Sequence, residues 1–231
     1  MKEYFNVDLV VLGIQGAGKG TQVAKLWGKF GKDKEWFLIQ TGNLFRSIAK
    51  EDSEIGRKVK SFIGKGMLVP DEITNEVVFA KLSRDDIKEK NWIFDGFPRN
   101  IFQAEKFLDF YRLQGRNRLV VLFLDLPYEE ALKRVRTRLV CRSCNAIANE
   151  NFGLKEGDKC KHCGGVLHKR EDEKDEQAIE TRFKIFVEKT LPIYEFFEKE
   201  GIHVERIDAT PDIKTCLLYT SDAADDLLCV D

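Results

Sequence analysis

Apolar and polar positions follow two alternating periods along this chain. Residues 7–12 (VDLVVL) form a short β-branched run ending at Gly13, and beyond Gly20 the apolar residues Val23, Leu26, Trp27 and Phe30 recur at helical spacing. The pattern predicts strand, glycine turn, helix. Residues 36–40 read as a second strand, with Thr41 as N-cap of a helix over 42–50, and Ser53 caps a shorter helix that stops at Gly64-Lys65-Gly66. Pro70-Asp71 opens a helix expected through residue 90, before a strand at 92–94 and a helix at 101–114. Residues 118–124 form the most hydrophobic strand, and Pro127 opens a helix expected to carry Arg134, Arg136 and Arg138. A long amphipathic helix begins near Asp172, with Ile179, Phe183, Phe186, Val187, Leu191 and Tyr194 on one face and Pro192 as its kink or end. The last strand is 203–207. Strands alternating with helices imply an α/β fold, a parallel sheet covered on both faces.

Two stretches break the alternation. Residues 40–69 are helical with no strand between them, which predicts an inserted helical lobe. Residues 139–169 are rich in Gly, Cys and Lys and poor in large apolar side chains, so this segment needs a staple other than a hydrophobic core. Over all 231 residues, 38 Lys and Arg balance 39 Asp and Glu, which gives no overall field for binding nucleic acid or an anionic membrane. Any phosphate chemistry must come from local clusters of cations. The longest clean apolar run, 119–124, is far short of a membrane span, and Met1-Lys2-Glu3-Tyr4 leads into the first strand without a signal-peptide core. The expected compartment is the cytoplasm, where thiols stay reduced.

The glycine turn carries the sharpest chemistry. Gly13-Ile14-Gln15-Gly16-Ala17-Gly18-Lys19-Gly20-Thr21 places Gly-x4-Gly-Lys between a strand and a helix. Glycines let backbone N–H groups turn inward around a phosphate, the helix N-terminus adds partial positive charge, and Lys19 reaches the outer phosphates. The strict pattern has Ser or Thr directly after the lysine, whereas here Gly20 intervenes before Thr21.

Cysteines give a second signal. Cys141-x2-Cys144 and Cys160-x2-Cys163 stand fifteen residues apart, a spacing that fits four thiolates around one tetrahedral zinc with no open position, hence a structural Zn2+. Disulfides are the competing reading, and His162 is a lesser competitor as ligand that is expected to be exposed.

The form Gly-x-x-Gly-x-Gly-Lys-Gly-Thr-Gln resembles the P-loop of adenylate kinase and related nucleoside monophosphate kinases, and further strings in order carry the resemblance over roughly residues 7–213. Thr41-Gly42-Asn43-Leu44-Phe45-Arg46 is similar to the family's Thr-Gly-Asp-Leu-Leu-Arg, with Asn for Asp and Phe for Leu. Gly66-Met67-Leu68-Val69-Pro70-Asp71, Asp95-Gly96-Phe97-Pro98-Arg99 with Gln103, Arg134-x3-Arg138, Arg170-x-Asp172 and Arg182 follow.

The resemblance implies a P-loop NTPase-type three-layer fold on a central parallel five-stranded sheet. Its core would comprise 1–39, 70–137 and 170–215, with an NMP-binding insertion at 40–69 and a zinc-binding lid at 138–169. It implies reversible transfer of the terminal phosphoryl group of ATP to AMP, giving two ADP, with Mg2+ accompanying ATP, in a monomer that serves adenine nucleotide homeostasis.

By resemblance, Lys19, Asp95, Arg99, Arg138, Arg170 and Arg182 are catalytic. ATP would meet Gly16, Ala17, Gly18, Lys19, Gly20, Thr21, Arg134, Arg138, Ile147, Ala148 and Pro211. AMP would meet Thr41, Gly42, Arg46, Met67, Leu68, Val69, Gly96, Phe97, Pro98, Arg99, Gln103, Arg170 and Arg182, with Gln103 reading the adenine edge. Taken singly, these charges have plain structural alternatives: a solvated helix face for Arg134–Arg138, and a helix cap for Asp172. Two departures stand out, Gln15 where the family has Pro, and Ala148-Asn149 where zinc-bearing lids have Tyr-His.

Alternatives within the same chemistry are UMP or CMP as acceptor. Outside it stands a zinc-ribbon nucleic-acid-binding module on a non-catalytic P-loop scaffold. Between Cys141 and Cys163, four Lys/Arg against three Asp/Glu and Phe152 as sole aromatic make neither a basic stripe nor a stacking surface. No Asn-Lys-x-Asp-like guanine reader of a GTPase occurs. Residues 216–231 read as a non-native, adapter-derived tail, with a divergent final helix burying Leu217, Leu218, Leu227 and Leu228 as the alternative. Without that tail, Cys216 and Cys229 go too, leaving the two Cys-x-x-Cys pairs.

Overall fold

A computed structural model describes residues 7–30 and 36–211. The Met1–Tyr4 lead-in, the side chain of Phe30 and the 216–231 tail, with Cys216 and Cys229, lie outside the described residues.

The principal sheet holds β1 (Asp8–Gly13), β2 (Trp36–Gln40), β3 (Asn91–Asp95), β4 (Leu119–Asp125) and β8 (His203–Asp208) in the order β2-β3-β1-β4-β8, every pair parallel. Period-two alternation sorts its side chains to two faces. Leu9 and Val11 pack with Val23 and Leu26 of α1 (Lys19–Phe30), Ala131 and Val135 of α6 (Tyr128–Arg136), and Ile179 and Phe183 of α7 (Glu176–Ile185). Val10 and Leu12 face the other way, into a cluster with Val78 and Leu82 of α4 (Asp71–Leu82), Phe107 and Tyr111 of α5 (Ile101–Leu113), and Ile193 and Phe197 of α8 (Ile193–Lys199). That is the expected three-layer α/β architecture. The second face is aromatic: the Phe107 ring meets Phe94 at 4.8 Å and Phe97 at 5.7 Å, both edge-on, the arrangement that ring quadrupoles favour.

Several element boundaries differ from those the sequence predicts. Thr41 begins α2 (Thr41–Ile48) instead of capping it; Gln40 is the N-cap, and the Thr41 hydroxyl donates across to Gly96 O at 2.6 Å. Helix α4 ends at Leu82, because Ser83 bonds back to Phe79 O and Arg84 pairs with Asp86, local bonds that compete with helix continuation. Helix α6 ends at Arg136, so Arg138 lies not on a helix but at the start of strand β5 (Arg138–Cys141).

The long helix expected from Asp172 is three pieces. A 3-10 turn at Glu171–Glu173 precedes α7, whose cap is Asp175, and a π-helical turn at Phe186–Thr190 separates α7 from α8. The extra residue in that turn rotates the apolar face, and Val187 is left 50% exposed.

Two smaller groups of elements carry cores of their own outside the principal sheet. Helix α2 packs on α3 (Glu54–Gly64), which Ser53 caps as expected, around Phe45, Val59 and Val69. Residues 138–168 contain an antiparallel sheet that the composition did not signal: β5 flanked by β6 (Ile147–Asn149) and β7 (Leu167–His168). Its core is small, Leu139 and Leu167 with Cys141 and Cys160, as the scarcity of large apolar residues implied.

Candidate functional site

The carboxyl ends of β1, β2 and β3 bring Gly13, Gln40 and Asp95 to one edge of the sheet, the place where open α/β sheets hold ligands. Gly13 and Gly16 have positive φ (144° and 87°), and a Cβ would lie 2.6 Å from Leu124 O at Gly13 and 2.7 Å from Ala131 O at Gly16. Only glycine lets the loop pass so close to β4 and α6. Lys19 folds into the turn, donating to Gly13 O at 2.7 Å and Ile14 O at 2.9 Å. A Cβ at Gly20 would lie 3.5 Å from Asp95 Oδ2, an ordinary contact, so the residue that departs from the strict P-loop pattern stands directly beside that carboxylate at the start of the helix.

Cations crowd this edge. Burial, with Arg99 and Arg138 nearby and only Asp95 in opposition, lowers Lys19 to about 8. Burial lowers Arg46 to about 10, helped by Arg170, Arg182 and Arg99 and opposed by Asp172. Arg99 is lowered first by burial, with Arg182 and Arg170 adding to the effect against Asp95 and Asp172. Lys19, Arg46, Arg99, Arg138, Arg170 and Arg182 therefore share one field.

Their backbones and guanidinium groups are held in place. The N–H of Arg99 donates to Gln103 Oε1 at 2.8 Å, its carbonyl accepts from Thr190 Oγ1 of the π turn at 2.8 Å, and its Nε donates to Gly96 O at 2.8 Å. The Arg46 guanidinium lies over Gly42, where a Cβ would come within 3.3 Å of it. Arg182 donates to Ile63 O of α3 at 3.2 Å and pairs with Asp172, which also takes both ends of the Arg170 fork. Asp172 is thus a counter-charge for two arginines and not the helix cap. Burial alone would raise its pKa, but those two arginines hold it well below the carboxylate range.

Glu173 is one residue that sequence reasoning missed. Only 8% exposed, it accepts from Nε and Nη2 of Arg138 and faces Arg170 at 3.3 Å. Its signal was a carboxylate inside the run Arg170-Glu171-Asp172-Glu173, easily taken for a solvated face.

Other expected site residues lie nearby in different settings. Thr41 and Val69 are buried, Leu68 is half-buried and Met67 is 45% exposed. The Phe97 side chain is in the aromatic core, and Pro98 is buried beside it. Gln103 is 2% exposed, and its amide is engaged at both ends, accepting from the Arg99 N–H and donating to Asp71 Oδ1 at 2.7 Å. Arg134 sits away from the arginine group, paired with Glu130 and donating to Ala209 O and Thr210 O at 2.9 and 3.0 Å, next to Pro211. Ile147 is exposed on β6, whose Asn149 stands opposite Arg138 in register.

The four cysteine Sγ atoms of the 138–169 segment lie within 4.8 Å of one another and form no disulfide. Backbone N–H groups of Cys144 and Ser143 pull the Cys141 thiol down to about 6. Cys144 is pushed up to about 12 despite the Ala146 N–H, because Cys163, Cys141 and Cys160 surround it. Four sulfurs this close cannot all ionise without a cation among them, so the donor set fits a tetrahedral zinc. A Cβ at Gly165 would come 2.9 Å from Cys141 Sγ, which explains glycine beside the cluster. His162 is exposed, as expected.

A glycine turn after the first parallel strand, with its lysine in the field of half-buried arginines at the sheet edge, defines a P-loop α/β protein. The family model described as adenylate kinase matches residues 11–202. Curated adenylate kinases are similar over nearly their whole length: that of Archaeoglobus fulgidus is 35% identical over 209 residues, 90% of this chain and 93% of the relative. That of Thermotoga maritima is 40% identical over 205 residues, 87% and 90% of the two chains, and that of Staphylococcus aureus 34% over 222 residues, 96% and 100%. The chain belongs to the adenylate kinase family. The family's function is phosphoryl transfer between ATP and AMP, with Mg2+ accompanying ATP. Among the described residues no helix is long and apolar enough to cross a membrane.

Proposed function

We propose that this chain transfers the terminal phosphoryl group of ATP directly to AMP, in line and without a phosphoenzyme, using the residues gathered at the sheet edge. The observation that carries the reading is the shared field of Lys19, Arg99 and Arg138 on one side and Arg46, Arg170 and Arg182 on the other. Two facing polyanions require such a field, because phosphoryl transfer asks the protein for positioning and charge stabilisation rather than covalent chemistry. Asp172 and Glu173 pair with Arg138, Arg170 and Arg182 and keep these arginine forks aimed.

In this reading the loop amides of Gly16, Ala17, Gly18, Gly20 and Thr21 cradle the ATP phosphates, and Lys19 leaves its carbonyl partners for the outer phosphates. Asp95, beside Gly20, is placed to order the hydration shell of the Mg2+ that accompanies ATP, which would neutralise charge on the donor phosphates. Arg46 holds the AMP phosphate; Arg99, Arg138, Arg170 and Arg182 surround the transferring group. Thr41, Gly42, Met67, Leu68, Val69 and the 96–98 backbone bound the AMP pocket, and Gln103 meets adenine by exchanging an internal partner. Arg134, through its hold on 209–210, places Pro211 at the ATP base with Ile147 and Ala148.

Residues 40–69 act as the AMP-side flap and 138–169 as the lid over ATP, around a core of 1–39, 70–137 and 170–215. Closure excludes water, which would otherwise hydrolyse the donor. Cys141, Cys144, Cys160 and Cys163 would hold a structural zinc that supplements the lid's small core. The enzyme is a cytoplasmic monomer acting on nucleotides and not on nucleic acid. The test is MgATP turnover against AMP, UMP, CMP and GMP in parallel. AMP should be the best acceptor; UMP or CMP ahead of AMP moves the assignment to a pyrimidine acceptor, and no turnover with any acceptor refutes it.

A further inference from the structure

We propose that Gln40 and Asn43 form an oriented amide relay that fixes the Asp95 carboxylate and ties it to Arg46, making both amides positioning residues for phosphoryl transfer. Gln40 ends β2 in direct register with Asp95 at the end of β3. Its Nε2 donates to Asp95 Oδ2 at 3.2 Å, Asn43 Nδ2 donates to Gln40 Oε1 at 2.7 Å, and Arg46 Nη2 donates to Asn43 Oδ1 at 2.6 Å. Four side chains thus connect the group proposed to hold the AMP phosphate with the carboxylate at the mouth of the glycine turn.

The direction of the chain follows from its ends. A guanidinium only donates, so Asn43 must present its oxygen to Arg46 and its NH2 to Gln40. An ionised carboxylate only accepts, so Gln40 must present its NH2 to Asp95 and its oxygen to Asn43. Both ends demand the same polarity, and the amides at 40 and 43 satisfy it where a carboxylate, which cannot donate, does not. A carboxylate at 43, the residue of the family string that this chain resembles, keeps the Arg46 bond but sets an acceptor against Gln40 Oε1. Gln40 must then turn its amide and withdraw the N–H from Asp95.

The consequence is local and electrostatic. Asp95 lies in the field of Lys19, Arg99 and Arg170, each of which attracts it. The Gln40 N–H holds Oδ2 on the β2 side, above Gly20, against collapse onto those cations. Asn43 acts on Asp95 only through Gln40, so its influence should vanish when Gln40 is gone.

This inference rests on the roles assigned to Asp95 and Arg46 above, and its test separates the two. In the nucleotide-free full-length protein, the side-chain amide resonances of Gln40 should shift in Asn43→Asp and in Asp95→Asn. In turnover, Asn43→Asp should lower kcat about threefold to tenfold, the effect of one such hydrogen bond, with KM for AMP changed by less than about twofold because Arg46 keeps its partner. Asn43→Ala, which removes both links, should lower kcat and also raise KM for AMP. The double variant Gln40→Ala/Asn43→Asp should be no slower than Gln40→Ala alone. Unshifted Gln40 amide resonances, additive losses, or an unchanged or higher kcat in Asn43→Asp would overturn the relay. If the wild-type chain turns over no acceptor, the functional assignment fails, and the amide resonances still decide the relay.

Discussion

Glu173 grips Arg138 through two nitrogens, with Nε 3.0 Å from Oε2, and the same carboxylate faces Arg170 at 3.3 Å and Arg182 at 4.0 Å. One buried acid therefore balances three cations that belong to two different parts of the chain, the start of β5 and the segment that follows the small sheet. In Glu173→Gln the three guanidinium groups lose that balance. The nucleotide-free protein should be destabilised by about 3 kcal/mol, the low end for a broken buried pair because an amide oxygen still accepts, or about 6–12 °C in Tm for a chain of this size. Added MgATP should restore more Tm in this variant than in the wild type, since phosphate replaces the lost counter-charge. Equal ligand-induced shifts would contradict the placeholder role of Glu173.

Asp172 gives a pH-dependent counterpart. Its carboxyl is held below the ordinary 3.8 by Arg170 and Arg182, which outweigh its burial. A depressed carboxyl contributes stability that is fully present above the unfolded value and is lost as pH falls through the folded one. The stability gap between wild type and Asp172→Asn should therefore be constant above about pH 5 and shrink below pH 4. Urea titrations at pH 7, 5, 4 and 3 measure it, and a gap that grows on acidification would contradict the pairing.

Lys19 should titrate near 8 instead of 10.5, because burial and its arginine neighbours disfavour the ammonium. Carbon-13 dimethylation of the lysines and an NMR titration of the Lys19 methyl signal read this directly. ATP should move the value upward, as polyphosphate favours the charged form. A downward move would place the phosphates elsewhere.

Arg99, pinned through its own backbone by Gln103 and Thr190, should not accept lysine. Arg99→Lys keeps the charge but loses the planar fork, and kcat should fall by ~10³ or more. A loss of less than tenfold, measured at saturating MgATP and AMP, would remove Arg99 from the transferring group.

The cysteine cluster should carry one zinc per chain, with Cys144→Ser releasing it and exposing 138–169 to limited proteolysis ahead of the rest of the chain. Protein with intact thiols and no metal, proteolysed no faster after chelation, would contradict a structural site.

Much of this was legible in the residues themselves. The β-branched runs at 7–12 and 118–124 and the helical spacing after Gly20 mark two buried parallel strands and the first crossover, because strands covered on both faces read as continuous apolar runs. The Cys-x-x-Cys pairs marked the cluster, since ligand spacing is a local property. What could not be read was set by contacts distant in sequence. Arg138 left its helix for a strand whose partners are Asn149 and His168's neighbour Leu167, and the small sheet has too few apolar residues to announce itself. Glu173 and Gln40 look like ordinary surface residues until folding sets them against Arg138 and Asp95. The π turn that lets Thr190 reach Arg99 has no compositional signature at all.

The central claim is that Lys19 and the arginines converge on one pocket for two nucleotides face to face. Calorimetric titration with a single molecule in which five phosphates bridge two adenosines tests this most directly. One ligand should bind per chain, tighter than ATP by ~10²–10⁴, as expected when two sites are engaged at once, and Lys19→Met or Arg138→Ala should each remove most of the gain. Affinity equal to that of ATP, or two molecules bound per chain, would show that the cations do not meet around a shared pair of substrates.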